Sequence, residues 1–193
     1  MRNHLFIKVI IFGVAMFFAL LLPTAHAQQQ YFDVPFVPTP YVVIEEMLRL
    51  AKVTPQDYVM DLGSGDGRVL ITATKRYGAT GMGVDLDGDL VAQSLASAAE
   101  AGVADRVTFL QQDLFKTDFS RATVITMYLL PGVMMRLQPR LLDLKPGTRL
   151  VSHDFHLGDW KPDVTTQIRK NTFLWIVPAK VAGPWQIKAA LPG

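Results

Sequence analysis

The chain reads as an α/β protein, a doubly wound and mostly parallel sheet closed by a C-terminal β-hairpin. Three observations predict this. From Tyr58 to Phe155 short apolar runs alternate with longer helical stretches, and a βαβ rhythm places helices on both faces of a parallel sheet. The first apolar run, Val59–Leu62, passes directly into the glycine loop Gly63-Ser64-Gly65-Asp66-Gly67, the position at which such folds receive a ligand. After Phe155 the rhythm fails, and two strand-like runs remain with a turn between them.

Taken in order, Thr39 and Pro40 suit an N-cap and a first helical residue. The helix should run to about Lys52, with Val43, Ile44, Met47, Leu48 and Ala51 on one stripe. Tyr58–Leu62 is expected as strand, Arg68–Tyr77 as helix, Gly81–Leu86 as strand, and Asp89–Ala101 as an Ala-rich helix stopped by Gly102. Arg106–Gln111 and Ala122–Leu130 follow as strands, Gly132–Leu144 as a helix kinked near Pro139, and Arg149–Phe155 as strand. Residues 156–170 are polar, with little room for a full helix. Thr172–Val177 and Trp185–Ala189 then read as paired strands about the turn Ala182-Gly183-Pro184.

Ahead of this domain, placed at 39–193, lie a linker at 28–38 and a targeting segment at 1–27. Pro35, Pro38 and Pro40 each disfavour helix at the residue before them, so the linker is extended. Met1–Ala27 has a basic start at Arg2 and Lys8, the apolar run Val9–Leu22, and a small-x-small site ending at Ala27, the layout of a secretory signal peptide. A retained membrane anchor is the alternative. Either way the basic end stays in the cytoplasm and the rest crosses, which implies a periplasmic or secreted protein, or one anchored in the inner membrane.

Length and composition set further bounds. The 193 residues allow one domain and a modest appendage. Without Arg2 and Lys8 the formal charge falls from +2 to zero, so nothing implies a nucleic-acid partner. Cysteine is absent, which excludes disulfides and thiol chemistry.

The acids of the glycine loop indicate which ligand it meets. A pyrophosphate would be repelled by Asp66, whereas a ligand carrying an ammonium and a sulfonium would be attracted. A dinucleotide fingerprint G-x-G-x-x-G would also need glycine at position 68, which is Arg. The pattern therefore favours S-adenosylmethionine.

Four strings occur in order, each at an expected strand end: Val59-Met60-Asp61-Leu62-Gly63-Ser64-Gly65-Asp66-Gly67, Gly83-Val84-Asp85-Leu86-Asp87, Gln112-Asp113-Leu114-Phe115 and Leu144-Lys145-Pro146-Gly147. On these strings residues 39–155 resemble the class I S-adenosylmethionine-dependent methyltransferases, which implies a Rossmann-like sheet of seven strands. Pro35-Phe36-Val37-Pro38-Thr39-Pro40 ahead of Asp61–Arg68 further resembles the mitochondrial protein-lysine methyltransferases that modify inner-membrane proteins of ATP metabolism. That likeness implies a protein lysine as acceptor, at or near a membrane. The chain departs from many amino-group methyltransferases at Met127-Tyr128-Leu129-Leu130-Pro131, where those carry Asn-Pro-Pro-Tyr. This string leaves the acceptor atom open.

The resemblance puts Asp61, Gly63, Ser64, Gly65, Gly67, Asp85 and Asp113 at the cofactor. The glycines let the backbone approach the methionine part. Asp85, ending the second strand, is placed for the ribose hydroxyls, while Asp87 and Asp89 suit capping of the next helix. Asp113 resembles the acid that takes the adenine amino group, or else caps its own loop. Asp61 either holds the cofactor's ammonium or braces the loop.

Methyl transfer is an in-line displacement, so placing the acceptor matters most. A lysine must first lose its proton, which a dry aromatic channel encourages. Tyr128, His153 and Asp154, at the ends of the fourth and fifth strands, are the candidates to accept a proton or orient the nucleophile. His153, Asp154, His156 and Asp159 match no zinc spacing, so no metal is expected. Trp160, Trp175 and Trp185 suit packing of the hairpin. The reading is an S-adenosylmethionine-dependent enzyme acting on protein lysine. The alternatives are a non-catalytic envelope protein that binds the cofactor and a small-molecule O- or N-methyltransferase.

Overall fold

A computed structural model describes residues 36–180. The targeting segment, most of the linker, Trp185 and the expected strand Trp185–Ala189 lie outside the described residues. Four helices, α1 (Tyr41–Leu50), α2 (Arg68–Tyr77), α3 (Gly88–Glu100) and α4 (Pro131–Leu142), alternate with strands β1 (Tyr58–Leu62), β2 (Thr80–Asp85), β3 (Val107–Gln111), β4 (Val124–Met127) and β5 (Arg149–His153). Strands β6 (Val164–Ile168) and β7 (Lys170–Ile176) follow, and a 3-10 turn covers Leu114–Lys116.

The seven strands form one sheet in the order β3-β2-β1-β4-β5-β7-β6. The first five are parallel, while β7 runs antiparallel to both β5 and β6. Among the described residues the closing hairpin is therefore β6–β7, with Val164–Ile168 as the partner of β7. Alternating polar residues (Val-Thr-Thr-Gln-Ile) hide that strand from a hydrophobicity reading, because it lies at the sheet edge with much of it exposed.

Successive residues of each inner strand serve opposite cores. Val59, Val124, Val151 and Leu174 face α1, α2 and α3, together with Ile44, Leu48, Leu70 and Ala73. Met60, Leu62, Ile125, Leu150 and Trp175 face α4, with Met134, Leu137 and Leu141. Strands buried on both faces read as continuous apolar runs, which is why their positions were legible. Trp175 is fully buried and its indole donates to the Trp160 carbonyl at 2.7 Å, so both tryptophans are packing residues.

Some boundaries moved for identifiable reasons. Pro40 is the N-cap of α1, and Thr39 precedes it. Strand β4 stops at Met127, not Leu130, because its pairing ends at Leu62 of β1 and Ser152 of β5; Tyr128–Leu130 then leave the sheet at its carboxyl edge. Helix α4 continues past Pro139 to Leu142. At the opposite edge Asp57, ahead of β1, is ion-paired with Arg149 of β5, and Thr123 donates to it at 2.7 Å. Arg149 also donates to the Ala51 carbonyl at 2.7 Å. This buried junction ties α1, β1, β4 and β5 together below the site.

Candidate active site

The carboxyl ends of β1, β2, β4 and β5 meet where strand order reverses between β1 and β4, the crevice in which such sheets bind ligands. Gly63, Gly65 and Gly67 all have left-handed backbone, with φ of +74°, +54° and +79°. The loop is braced from β2 and α3: Gly63 and Ser64 amides donate to the Val84 carbonyl at 2.9 and 3.0 Å, and Ser94 Oγ donates to the Gly65 carbonyl at 2.7 Å. A Cβ on Gly63 would lie 2.8 Å from Leu129 Cδ2, so the segment after β4 flanks the loop closely.

Asp85 ends β2. Its Oδ2 accepts from the Gly65 amide at 2.8 Å and its Oδ1 from the Asp87 amide at 3.1 Å. A carboxylate has about four lone-pair positions, so acceptance of ribose hydroxyls is compatible with both bonds. Asp87 caps α3, its Oδ1 accepting from the Asp89 and Leu90 amides. Asp113 accepts from the Phe115 amide at 2.8 Å, which caps the 3-10 turn.

Asp61 is buried on β1 and accepts from Thr126 Oγ1 at 2.6 Å. Burial pushes its carboxyl up to about 7, against the Thr126 hydrogen bond, and the neighbouring Asp85 and Asp66 push it the same way. Asp66 departs from the sequence reading. It does not stand free in the cradle: Arg68 Nε and Nη2 fork onto it at 2.9 and 2.6 Å. Arg68 pairs with its charge, leaving Asp85 and a half-protonated Asp61 as the unpaired acids of the crevice.

Arg68 also donates to the Thr39 carbonyl at 3.3 Å and lies 5.4 Å from the Tyr41 ring centroid. It thereby binds the segment 36–41 to the glycine loop. The Phe36 ring lies directly against Gly65, where a Cβ would collide with it. Phe36 was visible in the sequence as part of a motif, but nothing local assigned it a contact.

The ends of β4 and β5 are aromatic. The Tyr128 ring centroid is 4.6 Å from His153 and 6.1 Å from Phe155, stacked at 16° on the latter. His153 is 3% exposed, and its Nδ1 has no partner among the described residues. Burial pushes its imidazole pKa down, against a hydrogen bond to the Asn171 backbone and the charge of Asp154, so it is neutral at pH 7. Asp154 follows β5 with φ +69° and pairs with Lys170 of β7 at 2.5 Å. Lys170 escaped the sequence reading, since only the antiparallel return of β7 beside β5 brings it there. His156 turns away to pack on Phe173, and Asp159 accepts from Gln138 at 3.3 Å. Among the described residues no three His, Cys, Asp or Glu side chains converge on a metal position.

The residues present fit a cationic nucleoside cofactor. The crevice is acidic at Asp61 and Asp85, the loop carries no Cβ at Gly63, Gly65 and Gly67, and the buried Ser64 hydroxyl has no partner among the described residues. This sheet order with this loop defines a class I S-adenosylmethionine-dependent methyltransferase, and its cofactor is S-adenosyl-L-methionine. The model of the ANTKMT methyltransferase domain matches residues 61–164, and the chain belongs to that family.

Relatives agree on the chemistry. A protein-lysine N-methyltransferase of Saccharolobus islandicus is 44% identical over 67% of this chain and 81% of its own length. A lysine N-methyltransferase of Mus musculus, named for the ATP synthase, is 34% identical over 68% of this chain, which spans 53% of that protein. A crystal structure described as an RNA methyltransferase from Salinibacter ruber, bound to S-adenosyl-L-homocysteine, is 47% identical with a TM-score of 0.73. It covers 78% of this chain and 100% of its own. The chain is accordingly an enzyme that transfers methyl groups.

Proposed function

We propose that the enzyme methylates lysine side chains of protein substrates. The observation that carries the reading is the stack of the Tyr128 and Phe155 rings at the carboxyl edge, with the Asp154 carboxylate, paired to Lys170, on the residue just before Phe155. Such a surface suits a long aliphatic arm ending in a charged amine. The names of the archaeal and mouse relatives support the same acceptor.

When bound, S-adenosylmethionine supplies an electrophilic methyl group on a sulfonium. In this reading Asp61 and Ser64 hold the methionine end, Asp85 accepts from the ribose hydroxyls, and Asp113 receives the adenine amino group. Gly63, Gly65 and Gly67 allow the close approach. Tyr128 and Phe155 line the acceptor's path and exclude water. His153, neutral and buried, takes the role of orienting Tyr128 through the ring contact.

RNA is a second reading, favoured by the description of the Salinibacter ruber structure. The acidic crevice and the zero formal charge outside the first 27 residues favour protein. The N-terminal segment supports a position in or beyond the inner membrane, where the enzyme would meet envelope proteins.

Full-length protein incubated with methyl-labelled cofactor and separate membrane, soluble-protein and RNA fractions tests this. Methyl-lysine in peptides mapped by mass spectrometry is the expected result. Label confined to RNA or to low-mass products would overturn the lysine acceptor. A topology reporter after Gly193 tests the location, and a cytoplasmic signal would overturn it.

A further inference from the structure

The turn between β6 and β7 carries Lys170 to the carboxyl end of β5, where its Nζ lies 2.5 Å from Asp154 Oδ2. The two partners are unequal. Asp154 is fixed by its backbone, with φ +69° and an amide that donates to the Asn171 carbonyl at 2.8 Å, and its side chain is 19% exposed. Lys170 is 55% exposed at the side chain and reaches the carboxylate on a flexible four-carbon arm. Exposed ion pairs are weak and exchange readily.

The surroundings are those of the acceptor path. Asp154 stands in the chain between His153 and Phe155, the two residues whose rings contact Tyr128. An alkylammonium arm thus already occupies a preset carboxylate at the aromatic edge of the site. Arg149 and Arg68, by contrast, are committed to other carboxylates.

We propose that Asp154 is the seat of the acceptor's ammonium and that Lys170 is a resident stand-in, displaced when a substrate lysine enters. This rests on the lysine acceptor put forward above. The proposal concerns binding of the charged arm before its proton leaves. A resident ammonium keeps the carboxylate paired in the free enzyme and sets a threshold: an entering group must be charged and long enough to compete. Lys170 is then a specificity-determining residue for the reaction.

Titration of full-length protein with n-butylammonium, the bare side-chain analogue, tests the exchange without any methyl transfer. In lysine-15N-labelled protein the Lys170 Nζ resonance should shift on titration, and Asp154→Asn should abolish the response. Lys170→Met should bind n-butylammonium tighter by up to about fivefold, the range expected on removing an exposed ion pair. Lys170→Arg, which can fork onto the carboxylate, should bind it more weakly than the parent. Equal or weaker binding by Lys170→Met, with the fold intact by circular dichroism, would overturn the proposal. Because this readout is binding, a failure of lysine methylation in cell fractions is a separate result that refutes the acceptor alone.

Discussion

Thr126 Oγ1 donates a 2.6 Å hydrogen bond to Asp61 Oδ1 across the junction of β1 and β4, where the two residues pair directly in the sheet register. It is a partial compensation. Burial still dominates and holds the carboxyl at about 7, so Asp61, the acid proposed to hold the cofactor's ammonium, is half protonated at neutral pH.

Cofactor affinity should therefore rise with pH through 7. A cationic ligand favours the carboxylate, so S-adenosylmethionine should bind about tenfold more weakly at pH 6 than at pH 8, measured by calorimetry. Asp61→Asn should flatten the profile. Stability of the ligand-free protein follows the opposite sign. A folded pKa of about 7 against an unfolded value of about 4 means that the folded state binds the extra proton between these limits. The stability gained from that proton is lost as pH rises from about 4 to about 7, and the difference in Tm between parent and Asp61→Asn across this window measures it.

Gly65 should tolerate no side chain. Its φ of +54° is left-handed, and a Cβ would strike the Phe36 ring. Gly65→Ala should lose about 1–2 kcal/mol from backbone strain alone, plus the displacement of Phe36. Adding Phe36→Ala should restore only the second part, which chemical denaturation of both variants resolves.

The Asp57–Arg149 pair should dominate stability at the far edge. The Asp57 side chain is 6% exposed. Burial pushes its pKa up, but hydrogen bonds from Thr123, Arg149 and Thr54 overcome this and hold it below the usual carboxylate value. Asp57→Ala leaves Arg149 without its partner and should cost about 3 kcal/mol, a Tm loss of about 6–12 °C in a chain of this size. The pair's contribution is present above the unfolded pKa of about 4 and disappears as pH falls through the folded one.

Arg68→Ala should release the segment ahead of α1. The fork on Asp66, the bond to the Thr39 carbonyl and the Tyr41 contact all vanish together. Hydrogen bonds to charged groups contribute about 1.5–3 kcal/mol, so hydrogen exchange at Val43 and Ile44, whose amides bond to the Pro40 carbonyl, should accelerate at least tenfold. Unchanged exchange there would show that the segment is held by Phe36 instead.

The two halves of the site were unequally legible. The cofactor half is sequential: Asp61 and the three glycines follow one another in a single string, and Asp85 and Asp113 each close an apolar run. Asp66 misled because its partner, Arg68, was read only as a missing glycine. The proposed acceptor half is assembled from strands far apart in the chain. Tyr128 and His153 were singled out because they fall at strand ends, whereas Lys170 stands at the start of a strand whose polar partner carries no hydrophobic signal.

By itself the sequence determined the alternation of strands and helices, the glycine loop and its ligand class, because these depend on local periodicity, on missing Cβ atoms and on charge sign. Only the tertiary structure decided which groups neutralise one another. Asp66 with Arg68, Asp61 with Thr126 and Asp154 with Lys170 depend on side-chain direction and strand register, and the antiparallel return of β7 is a pairing that no local pattern encodes.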